Sequence, residues 1–114
     1  MVEGLWAIDF VTNINTWGGG VLVLTPEGRI LGGDMGYYYI GKYDIHDDKI
    51  SGTIDIIQFN PQCVSVFGDV SNFELQFEGS LDSKRNSFDA TAESSQFPGG
   101  KLVISGRKKT FFIL

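Results

Sequence analysis

The residues with the richest chemistry lie between positions 32 and 48, in the stretch "GGDMGYYYIGKYDIHDD". Three aspartates surround the only histidine of the chain, and the four residues are Asp44, His46, Asp47 and Asp48. Carboxylates and imidazole are metal ligands, so a calcium loop that begins at the first of these aspartates is one interpretation. Such a loop needs glycine at its sixth position and glutamate at its twelfth, but Lys49 and Asp55 stand there. The spacing therefore predicts no metal site.

Two further residues could take part in catalysis. Cys63, the only cysteine, would be a nucleophile if His46 activated it, but neither residue has the flanking sequence of a known cysteine enzyme. Asp34 could serve as an acid at the mouth of a barrel. An aspartate after two glycines is more often a turn residue that accepts backbone hydrogen bonds. We therefore predict no catalytic residue, no cofactor and no enzymatic activity, and an isomerase or cyclase is the least favoured alternative.

The elements that must position these residues are short strands. Runs of β-branched and aromatic residues alternate with polar ones and are separated by Gly, Pro, Asn and Asp at short intervals, a rhythm typical of all-β sandwiches and barrels. The predicted strands span about 3–12, 18–25, 29–33, 36–43, 49–58, 72–81, 87–94 and 101–109. We predict one domain over residues 1–114, an up-and-down antiparallel barrel of about eight strands. At most one short helical turn is expected, between residues 60 and 71.

Composition restricts the classes of partner. The chain of 114 residues carries a formal charge of −5, which disfavours direct contact with nucleic acid or with an anionic membrane surface. A single cysteine allows no internal disulfide, so we expect a reducing cytoplasm. The N-terminal residues lack the positive charge of a signal peptide, and no apolar run is long enough for a membrane-spanning helix. We therefore expect neither export nor membrane insertion.

Strand alternation divides the aromatic residues between two faces. Tyr38 is predicted to face away from the other three tyrosines of its strand. The residues predicted to line the barrel or to form an interface are Trp6, Tyr37, Tyr39, Tyr43, Phe73, Phe77 and Phe88. The apolar chain end, Phe111, Phe112, Ile113 and Leu114, either finishes the barrel wall or covers a neighbouring subunit, and we favour a contact in a homodimer. The hairpin turn at residues 44–48 is predicted to be an acidic docking surface for a basic protein, against the simpler alternative of a solvated turn.

Several segments of this chain resemble those of the GrlR family, negative regulators of type III secretion in bacteria. They are "GLWAIDF" at the start, "GGGVLVLTPEGRILGGD", "YYYIGKY" followed by an acidic turn, and the closing "ISGRKK". The resemblance implies a cytoplasmic, lipocalin-like (calycin-type) barrel that tends to dimerise and has no enzymatic activity. It also implies binding to a transcriptional activator, whose DNA binding is then blocked, through an acidic surface turn. The matching place here reads "DIHDDK" and contains no glutamate.

Two functions therefore follow from the sequence. The first is a regulatory binding protein that sequesters a transcriptional activator or a similar protein. The second is a carrier whose barrel interior holds a small hydrophobic ligand, with Trp6 or Trp17 among the lining residues. The volume of the barrel interior is the feature that discriminates between them.

Overall fold

A computed structural model of the protein describes residues 2–14, 16–65 and 71–111. It is all β, and the described residues include no helix. The eight strands are β1 (Gly4–Thr12), β2 (Trp17–Leu24), β3 (Arg29–Gly33), β4 (Tyr37–His46), β5 (Lys49–Gln58), β6 (Asn72–Asp82), β7 (Ser87–Glu93) and β8 (Lys101–Phe111). Each strand pairs antiparallel with the next along the chain, and β8 pairs with β1 to close the barrel. The predicted eight-stranded antiparallel barrel is confirmed.

Alternation of side chains along the strands gives the closed barrel an apolar interior. On β6, Phe73, Leu75 and Phe77 are buried while the intervening residues are exposed, which is the period of two that a strand requires. Buried and exposed side chains alternate in the same way on the other strands, apart from the glycine-rich beginning of β2, and the buried side chains point into the barrel. The interior is therefore built from one face of a single continuous sheet.

The two ends of the barrel differ. The hairpins at 25–28, 47–48 and 83–86 lie at one end, and the loops that follow β1, β3, β5 and β7 begin at the other. The first end is filled by the four largest fully buried side chains, Trp6, Leu24, Ile30 and Ile50. We call it the closed end, and we call the opposite end the mouth.

Close strand packing explains why glycines interrupt the strands. A Cβ atom at Gly52 would lie 2.0 Å from the carbonyl oxygen of Lys42 on β4, well inside van der Waals contact. The neighbouring strand can approach this closely only where the side chain is a hydrogen atom, and such positions let a small barrel bend. The sequence predicts this role for glycines within strands.

Three local differences from the sequence prediction have physical reasons. β4 extends three residues further than predicted because Ile45 and His46 continue the ladder with Ile50 and Lys49. β8 similarly continues to Phe111 because its last residues pair with β1. In the segment predicted to hold a short helix, residues 60–65 form a turn and an isolated bridge, and residues 66–70 lie outside the described part of the chain.

Candidate functional site

The acidic turn is shorter than the sequence predicts. Only Asp47 and Asp48 form it, while Asp44 and His46 belong to β4. Asp47 adopts φ of 56°, a left-handed conformation that aspartate tolerates better than most residues, and this makes a two-residue connection feasible. All four residues are exposed, and Asp44 points outward because Tyr43 beside it points into the barrel.

Strand register extends this acidic surface across three more strands. Asp44 lies opposite Ser51 on β5, which in turn lies opposite Glu78 on β6. Outward-facing carboxylates follow on the rest of β5, β6 and β7. We define the acidic face as the exposed carboxylates Asp44, Asp47, Asp48, Asp55, Glu74, Glu78, Asp89 and Glu93. The last five are not apparent from the sequence as part of this surface, because alternation shows only that they face outward, and it is the register that shows that they adjoin one another.

The acidic face has positive charge mainly at its margins, where Lys42 precedes Asp44 on β4 and Lys101 on β8 lies opposite Glu93. No carboxylate of this face forms an ion pair with another described residue; the ion pair that the structure shows joins Arg85 and Asp82, 3.6 Å apart, in the next hairpin. Lys49 is the only basic residue within β5, β6 and β7, and its Nζ donates a hydrogen bond to Oγ of Ser80 at 3.0 Å. The face therefore presents a concentrated negative field to solvent.

A second surface, which adjoins the acidic face at β4, is apolar. Leu31 on β3 lies between Val23 on β2 and Ile40 on β4, and all three side chains point outward. Leu31 is 48% exposed. We define the apolar outer face as Leu5, Val21, Val23, Leu31, Tyr38 and Ile40. This face is not apparent from the sequence either, because only the register brings Val23, Leu31 and Ile40 side by side.

The barrel interior contains a cavity of about 430 Å³ that extends from the mouth down to Leu24, Ile30 and Ile50. Its size lies within the range of pockets that hold small molecules. Small inward side chains such as Ala90 leave space for this cavity. Its lining is almost entirely apolar, and the exceptions gather near the mouth.

The polar group at the mouth is a carboxylate with three fixed partners. The backbone N–H groups of Gly36 and Tyr37 each donate a hydrogen bond to Oδ1 of Asp34 at 2.9 Å, and the hydroxyl of Tyr39 donates one to Oδ2. Burial, followed by the hydrogen bond to Asp34 and its negative charge, raises the pKa of Tyr39 above its usual range. The missing side chain at Gly20 leaves room for this pair, because a Cβ there would lie 2.8 Å from the Tyr39 hydroxyl.

The aromatic residues predicted to line the barrel or form an interface all lie in the interior. Five of them face the cavity: Tyr37, Tyr39, Phe73, Phe77 and Phe88. Trp6 and Tyr43 pack below the cavity at the closed end. There the indole Nε1 of Trp6 donates to the carbonyl of Val2 at 2.9 Å, and the hydroxyl of Tyr43 donates to the carbonyl of Thr25. Trp17, the alternative to Trp6 as a lining residue, is 72% exposed and lies at the mouth.

The described part of the predicted dimer contact is Phe111, at the closed end. Phe111 is 58% exposed, and the Nζ of Lys108 lies 4.2 Å from the centroid of its ring. Phe112, Ile113 and Leu114 lie outside the described residues. The structure thus places one apolar residue of this segment on the surface, away from the mouth.

Cys63 and His46 lie at opposite ends of the barrel and are not in contact. Cys63 is half-buried in the loop at the mouth, packed against Gly36, whereas His46 ends β4 near the closed end. In the described part of the chain, no group of three or more His, Cys, Asp or Glu side chains could hold a metal ion. Within the same residues, no helix is long and apolar enough to cross a membrane.

Comparison with known families supplies the decisive observation. A family model described as the type III secretion negative regulator GrlR matches residues 1–110. The chain belongs to the GrlR family. The resemblance inferred from its segments is therefore confirmed, and the regulatory character of the family comes with it. No curated protein sequence matches this GrlR-family chain.

The barrel itself is similar to a designed protein. The structure of a redesigned β-barrel superposes with a TM-score of 0.66, covers 96% of this chain and 92% of its own, and is 17% identical in sequence. At such low identity, the similarity concerns the fold alone. Since a fold does not specify a function, what the GrlR-family chain does depends on the side chains placed on this barrel.

Proposed function

We propose that this GrlR-family protein acts as a negative regulator by binding a basic protein partner, such as a transcriptional activator, through its acidic face. The observation that carries the proposal is the continuity of that face: Asp44 on β4, Ser51 on β5 and Glu78 on β6 form one row next to the acidic hairpin. The proposal assigns no catalytic step to the chain. It places the protein in the cytoplasm, where activators act and where Cys63 stays reduced.

Charge complementarity explains how such binding would block transcription. A DNA-binding surface is rich in Lys and Arg because it must neutralise phosphates. A protein with a dense row of carboxylates competes for the same basic side chains, so partner and DNA exclude each other. Electrostatic attraction of this kind accelerates encounter and weakens as salt is added.

The test uses neutral variants of the acidic face. We expect Asp44→Asn combined with Asp47→Asn and Asp48→Asn to fold normally, because asparagine also tolerates the left-handed conformation at residue 47. The variant should bind the activator at least tenfold more weakly than the wild type at low salt, and its affinity should depend less on salt concentration. The matched control is Asp9→Asn, an exposed outward residue on β1.

The measurement has two steps. Tagged wild type, triple variant and control are used to capture proteins from the native host, and a captured DNA-binding protein is then purified. Its affinity for each barrel is measured at several salt concentrations, together with its release from DNA. Equal affinity of the wild type and the triple variant would contradict a role for the hairpin, and failure to release DNA would contradict the competitive mechanism.

We further propose that two copies of the chain associate through the apolar outer face. A contiguous row of exposed aliphatic side chains, with Leu31 at its centre, is unusual on a monomer surface and is typical of an interface. This face lies on β1–β4 and the acidic face on β4–β7, and the two adjoin where Ile40 lies opposite Asp55. A dimer formed in this way would leave the carboxylates of β6 and β7 accessible. Phe111 at the closed end remains a second candidate contact.

A second candidate function is the binding of a small hydrophobic ligand. The observation in its favour is the apolar cavity of about 430 Å³. Most eight-stranded barrels of this size either fill their interior with side chains or enclose one small ligand. A cavity that opens near the protein surface and is lined by aromatic and aliphatic residues fits the second case.

A further inference from the structure

We propose that the barrel cavity binds a neutral or cationic amphiphile, with its apolar chain inside the barrel and a hydroxyl or amine group donating a hydrogen bond to Asp34. The proposal rests on the second candidate function, to which it adds the chemical class of the ligand. It is independent of the acidic face, which lies on the outside of the barrel.

The cavity has a polarity gradient that suits an amphiphile. Its deep part ends at Leu24, Ile30 and Ile50, which are aliphatic and buried. Asp34 lies in the β3–β4 loop at the mouth. An extended apolar chain in the deep part would therefore place its polar end beside this carboxylate. Removing that chain from water would supply most of the binding free energy.

Hydrogen-bond accounting at Asp34 leaves room for one more donor. An ionised carboxylate can accept about four hydrogen bonds. The structure gives three: from the N–H groups of Gly36 and Tyr37 and from the hydroxyl of Tyr39. These three bonds hold the carboxylate in place, so a ligand donor meets an oriented acceptor.

The negative charge of Asp34 determines which head group of an amphiphile the mouth can bind. Among the described residues that line the cavity there is no Lys, Arg or His, and Asp34 is the only one with a charged side chain. The loops at the mouth contain no basic residue anywhere in their sequences. Lys101, which follows one of these loops, is exposed on the outside of β8. A fatty acid would therefore place its carboxylate next to Asp34 with no counter-ion, whereas an alcohol or amine would be stabilised there.

The rim of the mouth is unusually apolar for a solvent-exposed surface. Met35 is 81% exposed, Val64 is 63% exposed, and Trp17 stands beside them. Large exposed apolar side chains around an opening are typical of a site that transfers a hydrophobic molecule from another apolar environment. Trp17 is also a natural fluorescent reporter of ligand binding at the mouth.

The test compares three ligands with the same chain: decylamine, decanol and decanoate, each below its critical micelle concentration. We expect decylamine and decanol to raise the melting temperature by several degrees and decanoate to raise it far less. Calorimetry should give at least tenfold weaker binding for decanoate than for decylamine. Binding of decanoate as tight as that of the amine would overturn the ligand class and leave the carrier function standing. Binding of none of the three would overturn both.

Two variants locate the site. Asp34→Asn should remove most of the preference for decylamine over decanoate, whereas Asp9→Asn, with the same change in net charge, should retain it. Ala90→Leu fills part of the cavity and should lower the affinity for each of the three ligands at least tenfold. If Asp34→Asn fails to fold, Tyr39→Phe is the second variant. It keeps the negative charge of Asp34 and frees the acceptor position on Oδ2 that the Tyr39 hydroxyl occupies, so the preference for the amine should persist. Binding unaffected by Ala90→Leu in a folded protein would place the ligands outside the barrel and overturn the proposal.

Discussion

Asp55 on β5 lies directly opposite Glu74 on β6, and both carboxylates point into solvent. Like charges in this cross-strand position repel and destabilise a sheet. We therefore expect Asp55→Asn or Glu74→Gln to raise the free energy of unfolding by a few tenths of a kcal/mol at low salt. The same substitutions should weaken binding of the basic partner. Urea unfolding and partner titration, each at low and high salt, measure both effects.

The control for this prediction is Asp9→Asn. Asp9 on β1 lies opposite Gly19 and Ser105 and therefore faces no carboxylate. Its neutralisation should leave stability and partner affinity unchanged. A gain in stability without a loss of affinity in Glu74→Gln would show that the repulsion is real and that this part of the face does not bind the partner.

A single charge on the apolar outer face should separate the proposed dimer. Leu31→Glu places a carboxylate between Val23 and Ile40, where a second copy would have to bury it. We expect the variant to fold and to be monomeric at concentrations where the wild type is dimeric. Light scattering or native mass spectrometry measures this change. Val103→Glu on the outer face of β8 is the matched control, because Val103 is also exposed and lies opposite Val11 and Thr91 rather than a carboxylate.

Truncation at the closed end separates the two candidate dimer contacts. A chain that ends after Thr110 lacks Phe111 and the three residues beyond the described part. If this chain remains dimeric while Leu31→Glu is monomeric, the interface is the apolar outer face. The opposite pattern would assign the contact to the chain end.

Close approach between β4 and β5 should make Gly52 intolerant of any side chain. Gly52→Ala would place a methyl group 2.0 Å from the Lys42 carbonyl, so the strands must separate and their hydrogen bonds lengthen. We expect a loss of about 1–3 kcal/mol in the free energy of unfolding. Gly19→Ala should cost about 0.5 kcal/mol or less, because its nearest atom, the Ile8 carbonyl oxygen, is 3.2 Å away. Chemical denaturation of both variants tests the difference.

Tyr39 should make the protein lose stability in alkali. Its pKa is raised in the folded state, above all by burial and then by the hydrogen bond to Asp34. An unfolded tyrosine ionises near pH 10. Stability from this residue is therefore complete below about pH 10 and falls above it, by about 1.4 kcal/mol per pH unit, as the unfolded state gains tyrosinate. Denaturation between pH 8 and 11 should show a shallower loss for Tyr39→Phe. Equal slopes would contradict the assignment.

The fold could be predicted from the sequence because each strand carries its own signal. The alternation on β6 and the turn residues at Pro26 and Gly28 are local, so the predicted strand bounds agree with the structure to within three residues. The largest difference, at the end of β4, arises because an aspartate-rich segment indicates a turn, whereas pairing of Ile45 with Ile50 favours the ladder.

The surfaces could be predicted only in part, because they depend on which strands are neighbours and in which register. The alternation of residue types along each strand shows that Asp55, Glu78 and Leu31 alternate with core residues and therefore face outward. It does not show that Glu78 lies in one row with Asp44, or that Leu31 lies next to Ile40. The cavity volume depends on the combined sizes of side chains from all eight strands, so it cannot be deduced from any single segment of the sequence.

The order of the strands also predicts how the chain folds. Seven of the eight strand pairings join neighbours along the chain and can form as successive hairpins, whereas β1 must find β8 across almost the entire sequence. Pairing of distant segments is slow because the intervening chain loses entropy. Until the ring closes, β1 and β8 are unprotected edges that can pair with another molecule. Mutations that delay this last pairing should therefore favour aggregation during folding, even where the finished barrel is stable.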